Sequence, residues 1–359
     1  MRLRPAVLGL LTGFAATAAS GQAPVGQVPN SQAPNLPQPV APSAPTLAAP
    51  GLPGTPALPN APVLPSLPPL PGPTAAAPVD DPKVDVAYAA YQAGRYLTAL
   101  REATARLERD PEDAAAMTLL GELHNQGLGV RQDPEKAAEW YRLAAKLGDR
   151  HALSALGLMA IDGRGMARDP EQGRRWLEAA ADKGDGAAAY NLALLLLTTS
   201  DAMERARAAG LLRTAAEAEI ADAQHALGVL YLRGQGMSRD PAAAAELFFR
   251  ATKNGSIAGE VEYAILLFNG EGVAKNESAA ARFFRHAAAR GNAIAQNRLA
   301  RLYAAGRGVA QNLVEAAAWH LAAAGQGLPD PWLDQALKGL SAEDRAKAER
   351  LAAERAGGV

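Results

Sequence analysis

Residues Leu120-Gly121-Glu122-Leu123-His124-Asn125-Gln126-Gly127-Leu128-Gly129-Val130-Arg131-Gln132-Asp133-Pro134 hold the end of one helix, a turn and the start of another. Ala116, Leu120 and Leu123 stand at i, i+4 and i+7, which is one stripe of an α-helix. Gly127-x-Gly129 stops that helix, because glycine takes positive φ without a steric penalty. Asp133-Pro134 then restarts the chain as a helix, with aspartate as N-cap and proline at the first helical position, where a missing N–H is harmless. Alanine pairs such as Ala144-Ala145 make the second helix thin enough for close neighbours.

The same cycle returns every 36 residues. Gly-x-Gly recurs at Gly127/Gly129, Gly163/Gly165, Gly234/Gly236, Gly270/Gly272 and Gly306/Gly308, with steps of 36, 71, 36 and 36. The long step is one residue short of two periods, so an unmarked unit lies between, with Leu192-Ala193 in register and Thr198-Thr199-Ser200 in place of the glycines. A small residue then leucine repeats at Ala116/Leu120, Ala152/Leu156, Ala188/Leu192, Ala223/Leu227 and Ala295/Leu299. Trp140, Trp176, Leu247, Phe283 and Trp319 form a large apolar column in the second helices, expected to pack in the core. Glycine closes the units at Gly148, Gly184, Gly255, Gly291 and Gly327. One such hairpin cannot bury its own stripe, so the units must stack.

The pattern Leu120-Gly121-x-Leu123-x-x-x-Gly127-x-Gly129-Val130, followed by Asp133, Lys136-Ala137-Ala138-x-Trp140-Tyr141 and Ala144-Ala145, resembles the Sel-one-like repeat (SLR), a relative of the tetratricopeptide repeat. The resemblance implies an all-α, right-handed α/α superhelical solenoid of helix-turn-helix repeats, with six copies over 114–327. Tyr88 to Tyr96 with Ala99-Leu100 resembles a tetratricopeptide hairpin, placing an N-terminal cap at 80–113. Ser341-Ala342-Glu343-Asp344 opens a charged helix as a capping box does, placing C-terminal capping helices at 328–359. Family membership implies protein–protein scaffolding, often in bacterial envelope assembly, secretion or signalling. One exported branch of the family carries a disulfide in each repeat. This chain has no cysteine, so functions proposed for that branch, penicillin binding included, are not implied.

Outward from the repeats, the first 79 residues are of another kind. Of 26 prolines, 19 lie between Pro24 and Pro82, and no charged residue stands between Arg4 and Asp80. Arg2 and Arg4, the uncharged run Ala6 to Ala19 and the small residues at Ala16-Thr17-Ala18 and Ala18-Ala19-Ser20 predict a signal peptide at 1–20. Export to the periplasm, the cell envelope or beyond follows, with no transmembrane segment after cleavage; an uncleaved anchor is the alternative. Residues 21–79 read as a disordered Pro/Ala-rich linker, since proline at this density blocks helix and sheet and favours polyproline II. The other reading of its leucines and Pro-x-x-Pro spacings is a ligand for an aromatic groove.

Composition removes several chemistries. Of 36 basic residues only Arg2 and Arg4 precede Asp80, so residues 80–359 carry 34 against 37 acidic ones, a net charge of −3 with no basic footprint for nucleic acid. The absence of cysteine excludes disulfides, cysteine zinc sites and thiol catalysis. His124, His151, His225, His286 and His320 stand in different repeats, without metal-site spacing. The Gly-x-Gly turns follow helices rather than strands and lack the lysine and serine of a phosphate loop. No catalytic residue, metal ligand or cofactor is expected, and the chain reads as a non-enzyme.

The face of the first helices opposite the core stripe is where a partner is expected. At 100° per residue from Leu120, the far side falls near positions 118, 122 and 125, which an exposed helix fills with polar residues. Thr118, Glu122 and Asn125 fit that rule, and Asn297, Arg301 and Ala304 nearly do. The four units between carry Ser154/Leu158/Ile161, Tyr190/Leu194/Leu197, His225/Val229/Leu232 and Val261/Ile265/Phe268. Helices apolar all round are either buried or part of an interface. In related solenoids the first helices line the concave surface, which makes Leu158, Ile161, Tyr190, Leu194, Leu197, Val229, Leu232, Val261, Ile265 and Phe268 candidate contacts for a protein or peptide. The alternative is that tight curvature closes the stripe into core. Function accordingly reads as an envelope scaffold, with a periplasmic regulator restraining a membrane sensor, or a cell-wall hydrolase, as the competing assignments.

Overall fold

The computed structural model describes residues 85–357. The expected signal peptide (1–20), the proline-rich linker (21–79) and the first residues of the capping hairpin lie outside the described residues. Among the described residues there are sixteen helices and no strand. A hairpin of α1 (Val86–Gln92) and α2 (Tyr96–Arg109) comes first. Pairs follow as α3 (Ala114–Gln126) with α4 (Pro134–Lys146), α5 (Arg150–Asp162) with α6 (Pro170–Asp182), and α7 (Gly186–Leu197) with α8 (Ala202–Glu217). The series continues with α9 (Ala221–Arg233) and α10 (Pro241–Lys253), α11 (Ile257–Asn269) and α12 (Glu277–Ala289), then α13 (Ala293–Ala305) and α14 (Leu313–Gly325). Two further helices, α15 (Pro331–Ala336) and α16 (Ala342–Gly357), end it.

Each turn does what its residues dictate. Gly127 caps α3 in the left-handed region at φ 72°, its N–H bonded to Leu123 O, and Gly163, Gly234, Gly270 and Gly306 cap α5, α9, α11 and α13 likewise. The second glycine has a different task. A Cβ on Gly165 would strike the carbonyl oxygen of Pro134, one on Gly272 that of Pro241, and one on Gly308 that of Glu277. The second glycine is therefore the point where a turn rests on the first turn of the preceding unit's second helix. Asp133 and Asp169 cap α4 and α6 by accepting from Lys136 N and Gln172 N at 3.0 and 2.9 Å.

Packing within a unit depends on the glycine that follows the repeated leucine of the first helix. A Cβ on Gly121 would lie 2.6 Å from Tyr141 Cε1, and one on Gly228 2.6 Å from Phe248 Cε1. The deepest column of the second helices is thus Tyr141, Leu177, Phe248 and Phe284, all fully buried. It stands one residue after the column expected from the sequence, of which Leu247 and Trp319 are buried while Trp140, Trp176 and Phe283 are only half-buried.

Helices pack in chain order, each second helix between its own first helix and the next one. First helices also meet across a unit, α3 with α5 and α9 with α11, which puts them on the tighter side of the stack.

The unmarked unit is a hairpin too, built by other means. Its turn brings α8 in four residues earlier than the others, Asp201 caps it, and α8 runs 16 residues where the other second helices have 13. Without a Gly-x-Gly to rest on α6, the two units are tied by Arg174 to Glu204 (3.0 Å) and by Arg207 to Glu178 (2.9 Å), with Arg174 also paired to Glu178 within α6 (3.3 Å). At its far end Glu219 occupies the glycine column at φ 59°, and its carboxylate accepts from Gln224 and Asn254 and pairs with Arg250.

Candidate partner-binding face

The stripe on the far side of the first helices is built in three parts. At the amino end, Thr118, Glu122 and Asn125 were expected in water but are buried, at 8, 8 and 5% exposure. The Tyr141 hydroxyl donates to Glu122 Oε2 at 2.6 Å, and Gln126 donates to the same carboxylate. Tyr91 of the capping hairpin lies beside them; burial and the Glu122 charge push its hydroxyl up to about 12. Burial raises Glu122 above the usual carboxylate range, although its hydrogen bonds to Tyr141 and Gln126 pull the other way. Polarity here serves the seat of the N-terminal hairpin, which one helix's sequence does not display.

At the carboxyl end Asn297 and Arg301 are likewise engaged. Both donate to Asp330, at 2.7 Å from Asn297 and at 2.6 and 2.9 Å from Arg301, while Asp330 also caps α15 through Trp332 N and Leu333 N. Burial alone would raise the Asp330 carboxyl, but the bonds from Arg301 and Asn297 outweigh it and hold it at about 2. Arg301 also lies over the Trp332 ring at 5.2 Å.

Between these ends the stripe is apolar, and its ten candidate residues divide evenly. Leu158, Tyr190, Val229, Val261 and Phe268 are buried, at 3, 0, 7, 4 and 3% exposure, so no partner reaches them as the chain stands. Ile161, Leu194, Leu197, Leu232 and Ile265 are half-buried, one or two from each of four consecutive units. They recur at two positions of the repeat and pack against three separate parts of the core. The Arg307 guanidinium lies 4.2 Å from the Phe268 ring centre.

Charged groups stand near these residues where the sequence displayed no pattern. Burial raises the Asp222 and Glu262 carboxyls, the latter against the pull of Arg233 and Arg298. Burial and Arg301 lower Arg298. Burial, with Arg233 near, pushes His225 down to about 4, so this imidazole is neutral at physiological pH. One turn before the first of those two positions, at equivalent places in successive units, Thr118 Oγ1, Ser154 Oγ, Tyr190 OH and His225 Nδ1 are buried without a hydrogen-bond partner.

Three other histidines are paired with carboxylates. His151 pairs with Asp185, the N-cap of α7, at 2.9 Å, His286 with Glu260 at 2.8 Å, and His320 with Asp334 at 2.7 Å. Among the described residues no three His, Cys, Asp or Glu side chains are grouped to hold a metal ion, and no helix is long and apolar enough to cross a membrane. A cavity of about 930 Å³ opens between α12, α14 and α16, lined by alanines, Trp319, Gln296, Gln326 and Arg355, whose guanidinium stacks on Trp319 at 4.0 Å. It lies apart from the stripe.

Comparison with known proteins places this geometry. The model of the Sel1 repeat matches residues 114–149, 150–185, 221–256, 257–292 and 293–328, half of the chain. It passes over 186–220, the unit without Gly-x-Gly. Among solved structures, a Sel1 repeat protein from Oxalobacter formigenes is 27% identical, aligned over 67% of this chain and 98% of its own, with a TM-score of 0.57. The c5321 protein, a protective antigen present in uropathogenic Escherichia coli strains and displaying an SLR fold, is 25% identical over 73% of this chain, with a TM-score of 0.48. The alignment spans 64% of the c5321 chain, just under two thirds of that relative. No curated protein matches this one. Solenoids of this repeat, like those of the tetratricopeptide, generally mediate protein–protein interactions, and this chain belongs to the Sel1 repeat family.

Proposed function

We propose that the protein is a non-catalytic scaffold of the cell envelope that binds a protein or peptide along the first helices of its solenoid. One observation carries the reading: Ile161, Leu194, Leu197, Leu232 and Ile265 stay partly exposed at two repeat positions of four consecutive first helices. Aliphatic side chains left partly exposed on the same face of successive units mark that face as the one a partner would contact. Replacing both Leu194 and Ile265 with glutamate is the test. Each carboxylate can turn to water, so the fold should keep its melting transition within about 1 kcal/mol per site, while capture of partners from an envelope extract by the full chain should fail. Early melting would instead mark these positions as core, and unchanged capture would sink the reading.

Placement in the envelope is supported by Arg2, Arg4 and the apolar run Ala6 to Ala19. Amino-terminal sequencing of protein from its native host should find a chain starting near Ala19 or Gly21. An intact Met1 on cytoplasmic protein would overturn the placement.

A further inference from the structure

The last unit already holds an acidic side chain on its first-helix side. Asp330 comes from the segment after α14, and Asn297 and Arg301 of α13 donate to its carboxylate at 2.6 to 2.9 Å. Trp332, two residues further on, lies against the same guanidinium at 5.2 Å, and α15 rests on α13. A short acidic segment from outside the repeats is thus docked on this face by an arginine.

Two more arginines stand on the face beside that contact. Val229, Ile265 and Arg301 are equivalent positions of successive units, and Arg233, Glu262 and Arg298 lie one helical turn from them, on α9, α11 and α13. Arg233 and Arg298 are half-buried, and neither makes a hydrogen bond or ion pair with another described residue. Glu262, between them in the order of the helices, feels the charge of each and is bonded to neither. A guanidinium that has lost part of its hydration without gaining an acceptor is prepared for an added carboxylate, because part of the desolvation cost is already incurred.

The local charge favours an acid. Two guanidiniums against one carboxylate leave this place positive, although residues 80–359 together carry −3. Burial keeps the Glu262 carboxyl above the usual carboxylate range, so it is a weak counterion for them. Asp222, the other half-buried acid of this side, stands at the opposite end of α9, roughly 16 Å from Arg233 along the axis at 1.5 Å per residue. Leu232 precedes Arg233 and Ile265 follows Glu262 by one turn, so partly exposed aliphatic side chains adjoin the arginines.

We propose that Arg233 and Arg298 bind an acidic side chain of a partner peptide, whose neighbouring leucine or isoleucine contacts Leu232 and Ile265. Such a partner continues, toward the middle of the solenoid, the contact that Asp330 makes at its end. In the free protein Glu262 stands in for the partner's carboxylate, and the two compete. This specificity rests on the first-helix side being the binding face.

Fluorescence anisotropy on the full-length protein tests it with two fluorescein-labelled synthetic peptides, four Leu-Glu dipeptides in tandem and the Leu-Gln counterpart. At low ionic strength the Leu-Glu peptide should bind roughly tenfold more tightly than the Leu-Gln peptide. Arg233→Gln combined with Arg298→Gln should erase that preference. Glu262→Gln should strengthen Leu-Glu binding by about threefold and leave Leu-Gln binding as it was. Circular dichroism melts check that the variants fold; if the double variant does not, the Glu262→Gln comparison decides alone. Equal binding of the two peptides, binding of neither, a preference that survives loss of both arginines, or Leu-Glu binding indifferent to Glu262→Gln would each overturn the site. The scaffold reading fails on other evidence, when Leu194→Glu with Ile265→Glu leaves partner capture intact.

Discussion

Replacing Gly272 with alanine should cost about 3 kcal/mol and loosen the boundary between the fourth and fifth units, whereas the same change at Gly255 should cost about 1 kcal/mol. Both glycines hold positive φ, 70° and 88°. Alanine pays the left-handed penalty of about 1 kcal/mol at either position. The difference is what the new methyl meets. At Gly255 nothing lies within 4 Å, but at Gly272 the carbonyl of Pro241 already occupies the space. A backbone oxygen in the first turn of α10 cannot swing away as a side chain does, so the turn must lift from the preceding unit. Stability in a stacked array is a sum of unit and boundary terms, and the lifted turn removes part of one boundary. Urea unfolding of the two variants in parallel measures this, with hydrogen exchange in α10 and α11 locating the loss. Equal costs at the two positions would show that the close approach plays no part.

That contrast marks what the sequence displays and what it withholds. The helix-stopping role of Gly127, Gly163, Gly234, Gly270 and Gly306 is a local matter of φ and can be read from one hairpin. The role of the second glycine depends on a carbonyl 31 residues earlier, in another unit, and no spacing reveals it. The same distance in sequence explains the shifted core column. Trp140 and Trp176 draw the eye by size, yet Tyr141 and Leu177 stand opposite Gly121 and Gly157, where helices approach most closely. A glycine on a first helix thus predicts the deepest residue of the second, once the pairing of the two helices is known.

The candidate face was legible as a stripe and not as a surface. Periodicity sorts residues by direction around a helix axis, and it picked out ten positions on the far side of four helices. How much of each is covered depends on residues distant in sequence, and the structure leaves Leu194 and Ile265 half-buried while Tyr190 and Phe268 are buried. Thr118, Glu122 and Asn125 illustrate the opposite error. Their polarity resembles that of a water-exposed helix face, but it is spent on Tyr141, Gln126 and the seat of the capping hairpin. Polar residues on the inner side of the terminal units are docking points for the helices that close the stack, and the units between them carry partly buried aliphatic side chains at the same positions.

Asp330 is the corresponding point at the other end, and its loss should be the costliest change in the cap. The carboxylate is 4% exposed, accepts from Arg301 and Asn297 and caps α15. Asp330→Ala removes the cap and strands a partly buried guanidinium, for an expected loss of about 3–4 kcal/mol. Asp330→Asn retains a good N-cap and isolates the charge, for about 2 kcal/mol. Acid gives the same answer in the wild type. The folded carboxyl titrates near 2 against 3.8 for a free one. Because the folded value is the lower, its stabilisation is complete above about pH 4 and is lost as pH falls toward 2. The difference is worth about 2 kcal/mol at 1.36 kcal/mol per unit. Urea melts at pH 7 and pH 2.5 should therefore show the wild type and Asp330→Asn converging by about that amount, since the variant has no such carboxylate to protonate. Curves that stay parallel would mean that the Arg301 pair contributes nothing to holding the cap.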